Sequence, residues 1–220
     1  MARIGIIGGS FDPVHYGHLL LAECGLEQCP LDEVWFIPTA ISPFKEAGSQ
    51  ASESQRRDML TLAIASHPQF SINELEWQRG GISYTCDTLE SLTTEFPEHQ
   101  FFFLMGADSL ADFHQWKNAR RICELARLAI VSRPGSPLPD LSVLESLAEP
   151  EYLNDLTNCQ IVMPAMDLSS SNIRLRVEQQ KSIRFRLPRA VEQYIAAQDL
   201  YREVGPAALN DQAEKSTSES

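Results

Sequence analysis

No stretch of this sequence is apolar for long enough to cross a membrane, since a spanning helix needs about 20 apolar residues in a row. The opening apolar run, Ile4 to Ile7, stops at glycines, with Asp12 and His15 close behind. A secretory leader would need a longer apolar stretch and a small-residue cleavage site. The expectation is a buried first strand in a cytoplasmic protein with no membrane partner. The cysteines are odd in number and irregularly spaced: Cys24, Cys29, Cys86, Cys123 and Cys159, with no Cys-x-x-Cys pair. That argues against a disulfide framework or a zinc site and for small core residues. Positive charge is scarce, 18 Lys and Arg against 30 Asp and Glu, for a net charge of −12 and no Lys/Arg-dense run. A protein that wraps nucleic acid carries a basic patch, so no nucleic-acid partner is expected. A few local donors can still hold a phosphate chain.

What is present reads as one medium-sized domain. The chain has 220 residues, of which 43% are hydrophobic, enough for a substantial core. Short β-branched or aromatic runs predict strands at 3–8, 34–37, 101–105, 128–131 and 161–163. Helical patterns lie between or after them, at 17–28, 54–66, 85–95, 119–125, 170–179 and 188–197. This alternation predicts an α/β fold: an open, doubly wound, mostly parallel sheet with helices on both faces. Residues 38–53, with Pro38, Pro43 and Gly48, form a long loop of the kind that is often functional. A second loop, Arg133-Pro134-Gly135-Ser136-Pro137, ends a strand. The domain is expected to span 1–205, with a disordered polar tail over 206–220.

The first strand ends in Gly8-Gly9, followed by Ser10-Phe11-Asp12-Pro13-Val14-His15-Tyr16-Gly17-His18. Glycines at a strand end let backbone N–H groups approach an anion, and the helix that follows points its positive end at the same loop. A Walker A loop requires Gly-Lys-Ser/Thr, and a dinucleotide fingerprint requires Gly-x-Gly-x-x-Gly; neither is present. The loop offers His15 and His18 instead, three apart, on one face of a helix start, where both rings can donate to one phosphate group. The plainer alternative makes one a cap or core histidine and the other a surface residue.

Gly-Ser-Phe-Asp-Pro-x-His-x-Gly-His resembles the first signature of the nucleotidyltransferase superfamily with the (His/Thr)-x-Gly-His motif. The second signature of that group resembles Leu168-Ser169-Ser170-Ser171-Asn172-Ile173-Arg174. These serines are also N-cap candidates, and a helix start with hydroxyls and an arginine one turn in suits a pyrophosphate. An ordinary capped surface helix is the alternative. Within the superfamily the sequence is most similar to bacterial nicotinate-nucleotide adenylyltransferases over residues 3–202, with landmarks in order: Pro43-x-Lys45, Arg57, Ser83-Tyr84-Thr85-x-Asp87-Thr88-Leu89, Gly106-Ala107-Asp108-Ser109, Trp116 and Arg133-Pro134-Gly135. It departs from them at Phe44, where the family often has His, and at Lys117, where some members have an aromatic residue.

The resemblance implies a Rossmann-like nucleotidyltransferase fold and transfer of AMP from ATP to nicotinate mononucleotide, giving deamido-NAD and pyrophosphate in NAD biosynthesis. It implies catalytic roles for His15, His18 and Arg174. ATP would be held by Gly9, Ser10, the Phe11 backbone, His15, His18, Lys45, Ser170, Ser171 and Arg174. The acceptor would be held by Thr85, Asp108 and Trp116, with Trp116 stacked on the pyridine ring. Each has a plainer alternative: Trp116 as a half-buried core residue, Asp108 as the N-cap after Gly106, Lys45 as a solvated loop lysine. Mg²⁺ would travel with ATP, and no protein metal site is expected. Nothing in the sequence distinguishes a monomer from a homo-oligomer. The competing readings are an adenylyltransferase for nicotinamide mononucleotide or another phosphate ester, a class I aminoacyl-tRNA synthetase fragment, and a non-catalytic nucleotide-binding protein. The synthetase would need a lysine-rich second signature, which Ser-Ser-Ser-Asn-Ile-Arg is not.

Overall fold

The computed structural model describes residues 1–43, 48–132, 139–156 and 160–202. Phe44, Lys45, the Arg133-to-Pro137 loop, Cys159 and the tail from Pro206 lie outside the described residues. Among the described residues six strands form one sheet: β1 (Arg3–Gly9), β2 (Glu33–Pro38), β3 (Phe70–Ile72), β4 (Gln100–Gly106), β5 (Arg127–Ser132) and β6 (Gln160–Val162). Every neighbouring pair is parallel, in the order β3-β2-β1-β4-β5-β6. The order reverses between β1 and β4, and in open α/β sheets ligands bind outside the carboxyl ends of strands at such a reversal. Gly9 and Gly106 end those two strands.

The helices are α1 (Tyr16–Gln28), α2 (Glu53–Ile64), α3 (Leu75–Arg79), α4 (Thr85–Glu95), α5 (Ala107–Ala111), α6 (Ala119–Leu125), α7 (Pro150–Leu156), α8 (Ser170–Glu178) and α9 (Arg189–Ala197). Side-chain alternation along the strands divides the core into two layers. Phe102, Leu104, Ala129 and Val131 pack with residues of α1, α2, α8 and α9. Phe101, Phe103, Met105, Leu128 and Ile130 pack with residues of α4, α5, α6 and α7. The doubly wound reading therefore holds. The long elements fall within about two residues of their expected bounds, as helix ends usually do. The reading omits β3, α3, α5 and α7, short elements with no clear apolar run or helical spacing of their own. β3 is a half-buried edge strand of three residues. Among the described residues no helix is long and apolar enough to cross a membrane, and Cys24, Cys29, Cys86 and Cys123 are buried free thiols.

Close packing over the centre of β1 depends on a missing side chain. A Cβ at Gly5 would lie 2.8 Å from Leu31 Cδ1, 3.1 Å from Val34 Cγ2 and 3.2 Å from Leu104 Cδ1. Side chains of β2, β4 and the α1–β2 connection would have to move to admit it. Gly5→Val is expected to cost about 1–3 kcal/mol by overpacking, read as a lower urea midpoint; an unchanged midpoint would show that the layer yields freely.

Candidate active site

β1 runs into a tight loop in which Phe11 adopts φ 45°, a left-handed conformation uncommon for a bulky residue. Its ring is buried and packs edge-on against His18, with centroids 5.0 Å apart, so only its backbone faces the loop. The Thr39 N–H donates to the Gly9 carbonyl at 2.9 Å and ties the ends of β1 and β2 together. His15 is the N-cap of α1, and the cap is reciprocal. The Gly17 N–H donates to His15 Nδ1 at 3.1 Å, and the His15 N–H donates to His18 Nδ1 at 3.2 Å. The two rings stack with centroids 3.8 Å apart.

This pairing determines both tautomers. A backbone N–H only donates, so each Nδ1 accepts and the ring proton of each neutral imidazole resides on Nε2. Each histidine therefore presents an Nε2–H donor on the side of the ring away from the helix backbone. Burial lowers the His15 pKa from the ordinary 6.5 to about 4, against a smaller opposing effect of its own backbone hydrogen bond. At neutral pH His15 is an uncharged donor. For His15 the sequence alternatives of cap and phosphate donor are compatible, because Nδ1 makes the cap and Nε2 carries the proton.

Asp12 is buried in the same loop and gathers distant segments. Oδ2 accepts from the Gln50 N–H at 2.8 Å; Oδ1 accepts from the Ala51 N–H at 3.1 Å and from the Tyr201 hydroxyl at 2.7 Å. The second signature docks on this loop. The Ser170 hydroxyl donates to the Pro13 carbonyl at 2.9 Å, and Arg174 Nη1 donates to the Asp12 main-chain carbonyl at 2.6 Å. Arg174 Nη2 also donates to Ser171 Oγ at 3.3 Å. Of the three serines, Ser169 caps α8, accepting from the Asn172 N–H. The Ser170 hydroxyl proton is thus engaged within the protein, so what Ser170 offers an anion is its first-turn backbone N–H, whereas Ser171 accepts from Arg174 and keeps its hydroxyl proton as well as its N–H. Arg56, missed in the sequence, is buried; its Nη1 donates to the Ser10 carbonyl at 3.0 Å and the Thr39 carbonyl at 2.7 Å. Its guanidinium lies 5.1 Å from the Trp77 ring centroid. A signal for it exists: Arg56 shares the spacing of Met59, Leu60 and Ile64, which form the buried stripe of α2.

The expected acceptor residues lie at the same edge of the sheet. Beyond β2, the Ser83 N–H donates to the Ile41 carbonyl and the Ala40 N–H donates to Ser83 Oγ, which fixes the start of α4 beside the β2 end. Thr85 is the first residue of α4, whose N-cap, Tyr84, makes no side-chain cap bond. Lys117 Nζ donates to both Asp87 carboxylate oxygens at 2.8 Å and lies 4.6 Å from the Tyr84 ring centroid, so the segment after Trp116 is pinned to that helix start. Trp116 is half-buried against Phe113 and Phe103. Asp108 is exposed in the first turn of α5. The cap there is Gly106, which corrects the expectation that Asp108 caps the helix. A Cβ at Gly106 would lie 2.3 Å from Asp108 Oδ1, so a larger residue there would turn the exposed carboxylate aside.

The sequence model of the cytidylyltransferase-like family matches residues 6–176. A Rhodopirellula baltica protein described as a "probable nicotinate-nucleotide adenylyltransferase" is 42% identical over 199 residues, 90% of this chain and 93% of that protein. A protein of the same description from Desulfitobacterium hafniense is 39% identical over 202 residues, 91% of this chain and 96% of its own. This chain belongs to the nicotinate-nucleotide adenylyltransferase family. The fold agrees. A Plasmodium falciparum nicotinic acid mononucleotide adenylyltransferase, solved in complex with NaAD, superposes with a TM-score of 0.70 at 21% identity, covering 91% of this chain and 98% of that one.

In this nicotinate-nucleotide adenylyltransferase family member, the two signatures, far apart in sequence, are therefore in direct contact. Because the folded His15 pKa is depressed, the stability that its neutral form contributes is full above the free value of 6.5 and is lost as the pH falls toward 4. Nitrogen-detected NMR is expected to show His15 and His18 as Nε2–H tautomers at pH 7, with His15 protonating only near pH 4. An Nδ1–H signal from either ring would overturn the capping assignment.

Proposed function

We propose that the protein transfers the AMP group of MgATP to nicotinate mononucleotide, releasing pyrophosphate and forming deamido-NAD. The observation that carries this reading is the pair of stacked imidazoles whose Nδ1 atoms both accept backbone N–H groups, at the sheet reversal and against the helix that bears Arg174. The acceptor is a phosphate monoester whose second pKa is about 6, so it is already largely dianionic at neutral pH. No general base is required. Catalysis is then positioning and charge stabilisation for in-line attack on the α-phosphorus.

His18 donates to the α-phosphate as charge builds on its oxygens, and His15 orients the same group. The backbone at Gly9, Ser10 and Phe11 holds phosphate oxygens. Arg174 and the first-turn N–H groups of Ser170 and Ser171 take the β- and γ-phosphates and stabilise the departing pyrophosphate. Lys45 adds a cation from its loop. Mg²⁺ enters with ATP, ligated by phosphate and water, because the buried carboxylate of this loop, Asp12, is already hydrogen-bonded to protein donors. On the acceptor side Trp116 stacks on the pyridine ring, Asp108 contacts a ribose hydroxyl, and the uncapped start of α4 at Thr85 favours the nicotinate carboxylate. The cytoplasm is the compartment this reading assigns.

Pyrophosphate release from MgATP is to be measured with nicotinate mononucleotide, nicotinamide mononucleotide and phosphopantetheine in parallel. Turnover is expected with the first; inactivity with all three sinks the reading, and a preference for the amide changes the acceptor. His18→Ala is expected to lower kcat by about 10²–10³-fold while ATP binding changes much less, the effect of losing one transition-state donor. Near-normal turnover would remove His18 from that role. Trp116→Ala is expected to raise the acceptor KM roughly three- to tenfold, the size of one stacking contact, with the ATP KM unchanged.

A further inference from the structure

The last described residues hold an aromatic side chain in an unfavourable conformation. Beyond α9, Asp199 has φ 52° and Tyr201 has φ 62°. Bulky residues seldom adopt left-handed backbone, and where they do the surroundings hold them there. What holds Tyr201 is its hydroxyl, which donates to Asp12 Oδ1 at 2.7 Å and lies 4.0 Å from Met59 Sδ. The side chain also lines a cavity of about 370 Å³ that Gln50, Ser171 and Arg174 share.

The contacts of Asp12 leave an unusual gap. Its carboxylate accepts from the Gln50 and Ala51 amides and from Tyr201, yet Arg174 Nη1 remains 3.9 Å from Oδ2 while bonding the Asp12 main-chain carbonyl at 2.6 Å. A buried carboxylate this close to a guanidinium would ordinarily form a bidentate pair with it. Gln50, Ala51 and Tyr201 take three of the roughly four acceptor positions of the carboxylate and offset most of its charge, and Arg174, bonded to the main-chain carbonyl instead, lines the cavity.

We propose that Tyr201 is a positioning residue for the leaving group: by occupying the Asp12 carboxylate it keeps Arg174 from closing onto that carboxylate and leaves the guanidinium for pyrophosphate. This rests on the reading of Arg174 as a ligand of the β- and γ-phosphates. Burial and the Asp12 charge both raise the Tyr201 pKa, so the hydroxyl remains a neutral donor at physiological pH.

The test compares Tyr201→Phe with Tyr194→Phe. Tyr194, on α9, also bonds an aspartate at 2.7 Å, Asp58 of α2, but does not reach Asp12. Both variants remove one tyrosine–aspartate bond from the same end of the chain. Binding of Mg-pyrophosphate by calorimetry, kcat, both KM values and Tm are measured for each. Tyr201→Phe is expected to weaken pyrophosphate binding and lower kcat about tenfold each, the effect of disturbing one charged hydrogen-bond network. The nicotinate mononucleotide KM should remain within about twofold of wild type. Tyr194→Phe should keep wild-type pyrophosphate affinity and kcat at whatever Tm it shows. Wild-type pyrophosphate affinity in Tyr201→Phe overturns the proposal, as does an equal loss in Tyr194→Phe, which would mark a purely structural role. A wild-type protein inactive with nicotinate mononucleotide sinks the acceptor reading, while the pyrophosphate titration still decides this one. A wild-type protein that binds no pyrophosphate overturns both.

Discussion

A carboxylate buried inside the loop that the proposed reading assigns to phosphate is the constraint on which this site is built. Left alone, Asp12 would repel the ligand and incur a desolvation penalty, because a buried charge needs partners. The fold supplies them from far along the chain: Gln50 and Ala51 at the start of α2, and Tyr201, 189 positions away. Its main-chain carbonyl meanwhile accepts from Arg174, 162 positions away. One residue thus draws the first signature, the approach to α2, the second signature and the end of the described chain to one point. Arg56 does the same for the neighbouring strand ends, its guanidinium bridging the Ser10 and Thr39 carbonyls from inside the core. Both charged side chains serve the backbone, which is why neither resembles a ligand contact.

The histidines show why that residue type suits a helix start facing phosphate. A reciprocal cap is usually made by a serine or threonine and a glutamate or glutamine. Such a pair satisfies the orphan amides, but the acidic member adds negative charge beside the ligand. An imidazole accepts through Nδ1 and donates through Nε2 on opposite sides of a rigid ring. His15 and His18 therefore close the helix end and present two donors without any charge. The low pKa of His15 follows from the same burial that makes the cap rigid.

Much of the fold was legible because the long elements carry their period: the β4 run Phe-Phe-Phe-Leu-Met can only be a strand buried on both faces, and α9 alternates apolar and polar residues at helical spacing. β3, α3, α5 and α7 were not, since they are short and lack the continuous apolar run or helical spacing that made β6 and α6 legible. The two signatures were legible as residue types in order. Their contact was not, nor was the division of labour among Ser169, Ser170 and Ser171, which depends on which hydroxyl meets Pro13. The stripe of α2 pointed to a buried Arg56, whereas nothing local to Tyr201 reveals a partner in the first loop. At Lys117 the sequence showed only a departure. The structure supplies its physical content, an ion pair with Asp87 across Tyr84 that ties the Trp116 segment to the start of α4.

The charge of the whole and the charge of the site then fit together. A chain of net charge −12 offers anions no general attraction, so its affinity for a triphosphate has to be local. On the proposed reading the transferred phosphorus meets neutral donors, and formal positive charge is reserved for the leaving group at Arg174. Neutral donors fixed by the helix cap contribute most where charge develops during transfer, and they add little to ground-state binding. A cluster of cations would bind ATP and pyrophosphate alike and slow product release. Holding His15 neutral by burial, and Asp12 occupied by three donors, is on that reading what would let an acidic protein bind a polyanion without trapping it.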